Sequence, residues 1–127
     1  MRSGADRQTL GILGETLAAE ELVRRGYAIL ATRYRSRFGE IDIVSEHAGV
    51  IVFVEVKARR SARRGSAAET ISMRKRRRIS AMALDYLAWT GRLSRRCRFD
   101  VVAIDALGSS GQQIRVIEGA FDAGGRG

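Results

Sequence analysis

Apolar positions along the chain switch three times between helical and strand spacing, and the switches outline a fold. From about Gln8 to Arg25, "QTLGILGETLAAEELVRR" reads as a helix, with arginines in its last turn and Gly26 ending it. Ile12, Glu15, Ala19 and Leu22 fall on one face at helical spacing. Glu15 is thereby set among small and apolar residues, away from a solvated Glu20–Glu21 pair. "YAILATRYR", "EIDIVS" and "VIVFVEVK" then read as three strands, the last two joined through His47-Ala48-Gly49 as a hairpin. The unbroken apolar run Val50 to Val54 suits a central strand covered on both faces. A second helix is predicted from about Ala67 to Trp89, with Ile71, Lys75, Ile79, Met82, Ala83 and Tyr86 along one stripe. "CRFDVVAIDA" and "QQIRVIEGAF" supply two more strands. The order αβββαββ predicts an α/β fold, a mixed central sheet flanked by helices. The chain has no proline and no repeats, so glycine does the punctuation, and the Gly-rich end "AGGRG" is expected to fray.

Four charged residues interrupt this pattern. Residues two apart on a strand share a face, so Glu40 pairs with Asp42 and Glu55 with Lys57. The face of the third strand reads Ile51, Phe53, Glu55, Lys57, while the other face stays apolar with Val52, Val54 and Val56. A hairpin closing around His47–Val50 sets Asp42 across from Glu55, in side-chain contact range. Two facing carboxylates repel unless a proton or a cation lies between them. Lys57 relieves part of that repulsion and a divalent metal relieves more. Oxygen-only donors suit Mg²⁺ or Mn²⁺. The plainer reading is a set of ordinary salt bridges on a half-exposed sheet.

Length and charge narrow the choice. The 127 residues suffice for one domain, with a core over about 8–119. No apolar run is long enough to span a membrane, and the N-terminus lacks a signal-peptide core. A single cysteine, Cys97, allows no internal disulfide and suits a buried apolar role in a reducing cytoplasm. The net charge of +9 attracts polyanions, of which nucleic acid is the commonest. Of the 23 basic residues only Lys57 and Lys75 are lysine, and an ammonium is not interchangeable with a guanidinium. "ARRSARR" and "RKRRR" offer Arg59, Arg60, Arg74, Arg76, Arg77 and Arg78 as a phosphate-binding surface or, more plainly, as solvated faces. Arg74, Arg76 and Arg77 splay mostly outward in this reading. Lys75 points toward the sheet, either as a phosphate contact or as a snorkelling side chain. His47, the only histidine, reads as a surface residue of a turn. Asp100 reads either as a third acid near the site or as a partner for Arg98.

"GETLAAEELVRRGYAIL", "FGEIDIV", "VFVEVKARR", "KRRRISAMALDYL" and "RFDVVAI", in this order and spacing, resemble the YraN family of small bacterial proteins. That family resembles the restriction-endonuclease-like superfamily, with the PD-(D/E)xK core also seen in archaeal Holliday junction resolvases. The resemblance spans roughly residues 10 to 105. It implies that Asp42 and Glu55 bind the metal, that Lys57 is the motif lysine, and that Glu15 completes the metal site. Glu40 matches the acid of the GEID motif. Arg33 stands where the family commonly has Asn, and His47 replaces a more usual turn residue. The resemblance implies a metal-dependent nuclease using Mg²⁺ or Mn²⁺, acting on DNA rather than RNA and on branched or damaged structures. Cutting of four-way junctions would imply a homodimer. The alternative is a non-catalytic nucleic-acid-binding module on the same fold, which would be free to lose Asp42, Glu55 or Lys57.

Overall fold

Among the described residues two helices and five strands follow in the order α1 (Gly4–Arg24), β1 (Ala28–Ser36), β2 (Gly39–His47), β3 (Val50–Ala58), α2 (Met73–Trp89), β4 (Cys97–Asp105) and β5 (Gln113–Phe121). The structure is a computed structural model that describes residues 4–61 and 71–121. The strands form one sheet in sequence order, antiparallel except for the parallel β3–β4 pair bridged by α2. A parallel pair needs a long crossover, and α2 supplies it. The expected mixed α/β architecture and element order are therefore present.

Central β3 alternates between two cores. Ile51 and Phe53 pack with Ile79, Met82 and Tyr86 of α2. Val52 and Val54 pack with Ala18 and Leu22 of α1 on the other face. Each helix thus covers one side of the sheet, which is why Val50–Val54 can be apolar without a break.

Both helices stop by the same device. Gly26, at φ +96°, and Gly91, at φ +70°, adopt the left-handed conformation that glycine reaches without steric cost. After α1, Gly26 N–H donates to Val23 O at 3.0 Å and Tyr27 N–H to Leu22 O at 2.9 Å. After α2, Gly91 N–H donates to Ala88 O and Arg92 N–H to Leu87 O. These bonds satisfy carbonyls the helix end would leave open.

Several sequence expectations shift in the fold. The first helix begins earlier than Gln8, and its buried face carries Ala18, Glu21 and Leu22, leaving Ile12 49% exposed. The small residues Gly14 and Ala18 explain the rotation, because they let the helix lie closest to the sheet. A Cβ on Gly14 would stand 2.8 Å from Ala58 Cβ. Glu21, expected in solvent beside Glu20, is buried and ion-paired to Arg24 and Arg25. The second helix begins at Met73, not near Ala67. Ser72 is its N-cap, with Oγ accepting from Lys75 N–H at 3.1 Å, and Ile71 and Ser72 lie outside the helix. Residues 67–70, the "SARR" end of the first basic run beyond Ser61 and the C-terminal "AGGRG" lie outside the described residues.

His47 is not a free turn residue. It closes the β2–β3 hairpin opposite Val50, with Ala48 at φ +52° and Gly49 at φ +80° making the two-residue turn. Its ring stacks on Tyr27 at 4.0 Å between centroids, and Arg98 approaches Nδ1 at 3.1 Å. The same Arg98 donates twice to Asp100, which also accepts from Tyr27 Oη at 2.8 Å and Gly119 N–H at 3.0 Å. Asp100 is fully buried and is the structural partner of Arg98, at the hairpin end of the sheet.

Candidate active site

At the other end of the sheet, β2 and β3 separate. Their ladder runs from His47↔Val50 to Ile43↔Val54 and ends there. The next step places Asp42 opposite Glu55, and the Asp42 side chain takes over from the backbone: Val56 N–H donates to Asp42 Oδ2 at 2.8 Å. On the outer side, β1 and β2 pair through Thr32↔Ile43 and Tyr34↔Ile41, passing over Arg33 and Asp42. Arg33 has φ +52°, a left-handed backbone that bends β1 at this point. Ile43 packs against the α1 side of the sheet, while Ile41, two residues away, packs against the α2 side. Strict alternation therefore breaks at Asp42, which lies where the sheet changes face.

Four elements bring side chains to this break. α1 brings Glu15, one residue after the close contact at Gly14. β2 brings Glu40 and Asp42, β3 brings Glu55 and Lys57, and the first turn of α2 brings Lys75. A cavity of about 410 Å³ is lined by Leu10, Glu15, Asp42, Glu55, Lys57 and Lys75, among others. Carboxylate oxygens of Glu15, Glu40 and Asp42 lie within 4.8 Å of one another. Glu55 stands apart from that trio. It is buried and ion-paired to Lys75, with Lys57 Nζ at 3.9 Å.

The electrostatics follow from this crowding. Burial, reinforced by the charges of Glu55 and Glu15, pushes the Asp42 carboxyl up to about 7, although the Val56 N–H and Lys75 pull it down. Lys57 is lowered by burial and by the neighbouring charge of Lys75. Burial also pushes Lys75 down, but the bond and charge of Glu55, with Lys57 and Asp42 beside it, together outweigh this and the net shift is upward. The two lysines that survive in an arginine-rich chain thus meet over a single carboxylate and titrate in opposite directions.

Two arginines that sequence reasoning did not assign to the site take part. Arg33 Nε donates to Glu15 Oε1 at 2.7 Å, and Arg35 Nε to Glu40 Oε2 at 3.2 Å. Periodicity gave no sign of them, because an arginine on an edge strand looks solvated. The one pointer was Arg33 at a position where Asn is common, since Asn tolerates a left-handed backbone better than Arg does. Of the arginines predicted to bind phosphate, Arg60, Arg74, Arg77 and Arg78 are exposed. Arg59 and Arg76 are placed differently. Arg59 is half-buried and donates to Asp105 Oδ1 at 2.8 Å, while Arg76 lies over the Phe121 ring at 5.6 Å.

A slightly larger groove of about 490 Å³ opens between the α2–β4 loop and β5, near Leu93, Arg96, Cys97 and Phe121. It has no acidic side chain in its lining, so size does not mark the chemistry here.

Comparison with known proteins adds the family. Residues 14–104 match the model described as "Uncharacterised protein family UPF0102". A UPF0102 protein from Symbiobacterium thermophilum is 43% identical over 114 residues, covering 90% of this chain and 97% of that relative. One from Anaeromyxobacter dehalogenans is 42% identical over 123 residues, covering 97% and 91%. Another, from Lachnoclostridium phytofermentans, is 45% identical over 120 residues, covering 93% and 97%. The match takes in Glu15, Glu40, Asp42, Glu55, Lys57 and Lys75 together, and the chain belongs to the UPF0102 family of bacterial proteins, which is the YraN family.

Proposed function

We propose that the protein is a metal-dependent nuclease that hydrolyses phosphodiester bonds of DNA, including branched or damaged structures. One observation carries this reading: Glu15, Glu40 and Asp42 converge within 4.8 Å beside Lys57, at a sheet end rimmed by exposed arginines. Three hard oxygen donors of like charge, one of them held near pH 7 in its titration, fit Mg²⁺ or Mn²⁺. Asp42, Glu15 and Glu40 would hold the ion, with Glu55 joining when Lys75 releases it. When bound, the ion polarises a phosphate oxygen and lowers the pKa of a water.

The remaining groups have distinct tasks. Lys57, lowered below an ordinary amine, accepts a proton at Nζ from the attacking water. A bond forms from the water oxygen to phosphorus as the bond to the leaving oxygen breaks, and that oxygen takes a proton from solvent. Lys75 holds Glu55 in place and keeps positive charge beside Lys57. Arg60, Arg74, Arg77 and Arg78 grip backbone phosphates without reading sequence. Incision of a four-way junction would need two such sites and hence a homodimer. The lone Cys97 agrees with work in the reducing cytoplasm.

A second reading, a non-catalytic nucleic-acid-binding module, is favoured by a different observation. Glu55 and Glu15 already have cationic partners in Lys75 and Arg33. Labelled duplex, single-strand, flap and four-way-junction DNA, incubated with Mg²⁺, Mn²⁺ or EDTA, separates the two. Metal-dependent cutting by wild type, lost in Glu55→Ala and Lys57→Ala, is the expected result. Tight binding to every substrate with no cutting in either metal would leave only the binding module.

A further inference from the structure

The tight turn between β1 and β2 stands at the same end of the sheet as the acids, and the mechanism leaves it unused. It carries Arg37 and Phe38, and Phe38 is 39% exposed where a turn of this kind needs no aromatic ring. The turn is well anchored. Phe38 N–H donates to Ser36 Oγ at 3.0 Å, and the next residue, Gly39, has φ +135°. A Cβ on Gly39 would meet Met82 Sδ at 3.5 Å and Arg78 Cδ at 3.8 Å, so the turn rests directly on α2. The Arg37 guanidinium lies 5.0 Å from the Phe38 ring centroid. A planar cation over one face of the ring steadies it, and part of the residue still faces solvent. Arg78 reaches Gly39, Arg35 pairs with Glu40 on the neighbouring strand, and both are exposed.

We propose that this turn is a base-stacking platform, on which Phe38, braced by Arg37, takes the face of an unpaired base in a DNA strand gripped by Arg35 and Arg78. The proposal rests on the nucleic-acid reading above and narrows its substrate class. Bases inside a duplex are already stacked and offer no free face, so an exposed ring selects a base that is extrahelical, flanking a gap or at a branch. The surrounding charge suits a phosphate backbone. From Phe38 to Asp42 is four residues, about 13 Å of extended chain. At 3.4 Å of axis per nucleotide, the stacked base lies about two to four nucleotides from the scissile phosphate.

The test uses two duplexes of one sequence in EDTA, where nothing is cut. One is fully paired with 2-aminopurine in the stack, and the other carries 2-aminopurine as a single extrahelical base. Wild type should bind the bulged duplex about 10-fold more tightly and quench its fluorescence. Phe38→Ala should bind the paired duplex within about twofold of wild type and lose both the preference and the quenching. Phe38→Trp should retain both, and Phe38→Leu, which keeps the apolar bulk, decides the matter if the alanine variant is unstable. Equal binding of the two duplexes by wild type, or an unchanged preference in Phe38→Ala and Phe38→Leu, overturns the platform. Failure of wild type to bind either duplex removes the nucleic-acid reading and the platform together. Preference without metal-dependent cutting removes catalysis alone and leaves the platform standing.

Discussion

Asp42 is the residue on which stability and function pull apart. Its carboxyl titrates at about 7 instead of 3.8, so the folded chain binds a proton there more readily than the unfolded chain does. Stability from this group is therefore complete below the unfolded value and is lost as pH rises from about 4 to about 7. Asp42→Asn keeps an oxygen for Val56 N–H and removes the charge. It should leave stability unchanged near pH 4 and raise it by roughly 2–4 kcal/mol at pH 8, as measured by urea denaturation at both values. Mg²⁺ should raise the Tm of wild type at pH 8 and not that of Asp42→Asn. A variant no more stable at pH 8 would show that Asp42 is not crowded. The lysine pair gives a second prediction. Lys75→Met removes a charge that holds Lys57 down and frees Glu55 to pair with Lys57. Both changes push Lys57 up, so the alkaline-rising limb of the pH–rate profile should move to higher pH. A limb that stays in place would exclude Lys57 as the proton acceptor.

At the level of elements, the site depends on how closely α1 lies on the end of β3. Gly14 allows that approach and Glu15 follows it directly, so packing and chemistry are joined by one peptide bond. Gly14→Ala puts a methyl 2.8 Å from Ala58 Cβ, which is part of the sheet and cannot turn aside. The helix must move, at a cost of about 1–3 kcal/mol, less the gain in helix propensity from replacing glycine. Glu15 moves with it. Thermal unfolding should show the loss, and a metal titration of the folded variant should show at least tenfold weaker Mg²⁺ binding. Stability lost with metal affinity intact would detach Glu15 from the ion. These relations also mark how far the sequence could be read. Strand spacing revealed β2, β3 and their hairpin, because Val50–Val54 is apolar on both faces and Ala48-Gly49 fits a two-residue turn. The facing of Asp42 and Glu55 followed from that hairpin. Periodicity placed Ile12 inward, however, because it weighs hydrophobicity and misses the close packing that Gly14 and Ala18 permit. It also missed Arg33, whose left-handed backbone breaks the strand at Asp42. Where two pairing strands diverge depends on tertiary contacts that no local pattern encodes.

Over the whole molecule, the two ends of the sheet are built to opposite ends. The hairpin end is closed by Tyr27, His47, Arg98 and Asp100, and every oxygen of the buried Asp100 carboxylate has a donor. Asp100→Ala strands Arg98 and Tyr27 and should cost about 3–5 kcal/mol in chemical denaturation, with nucleic-acid affinity unchanged in the fraction that remains folded. The open end gathers like charges instead: acids inside, arginines outside. Among the described residues, six exposed arginines at this end besides the Glu15-bound Arg33, namely Arg35, Arg37, Arg60, Arg74, Arg77 and Arg78, set the reach of its field toward a polyanion. If all six meet phosphates of duplex DNA, log K should fall against log salt with a slope of about −5. Each single Arg→Ala change among them should reduce the slope by about one and weaken binding alike across sequences. Arg59→Ala and Arg76→Ala should leave the slope unchanged, because those side chains are held by Asp105 and Phe121. Fluorescence anisotropy from 50 to 300 mM KCl measures all of these. A slope near −1, or one that Arg59→Ala lowers as much as Arg78→Ala does, would mean that DNA does not bind across the acidic end of the sheet.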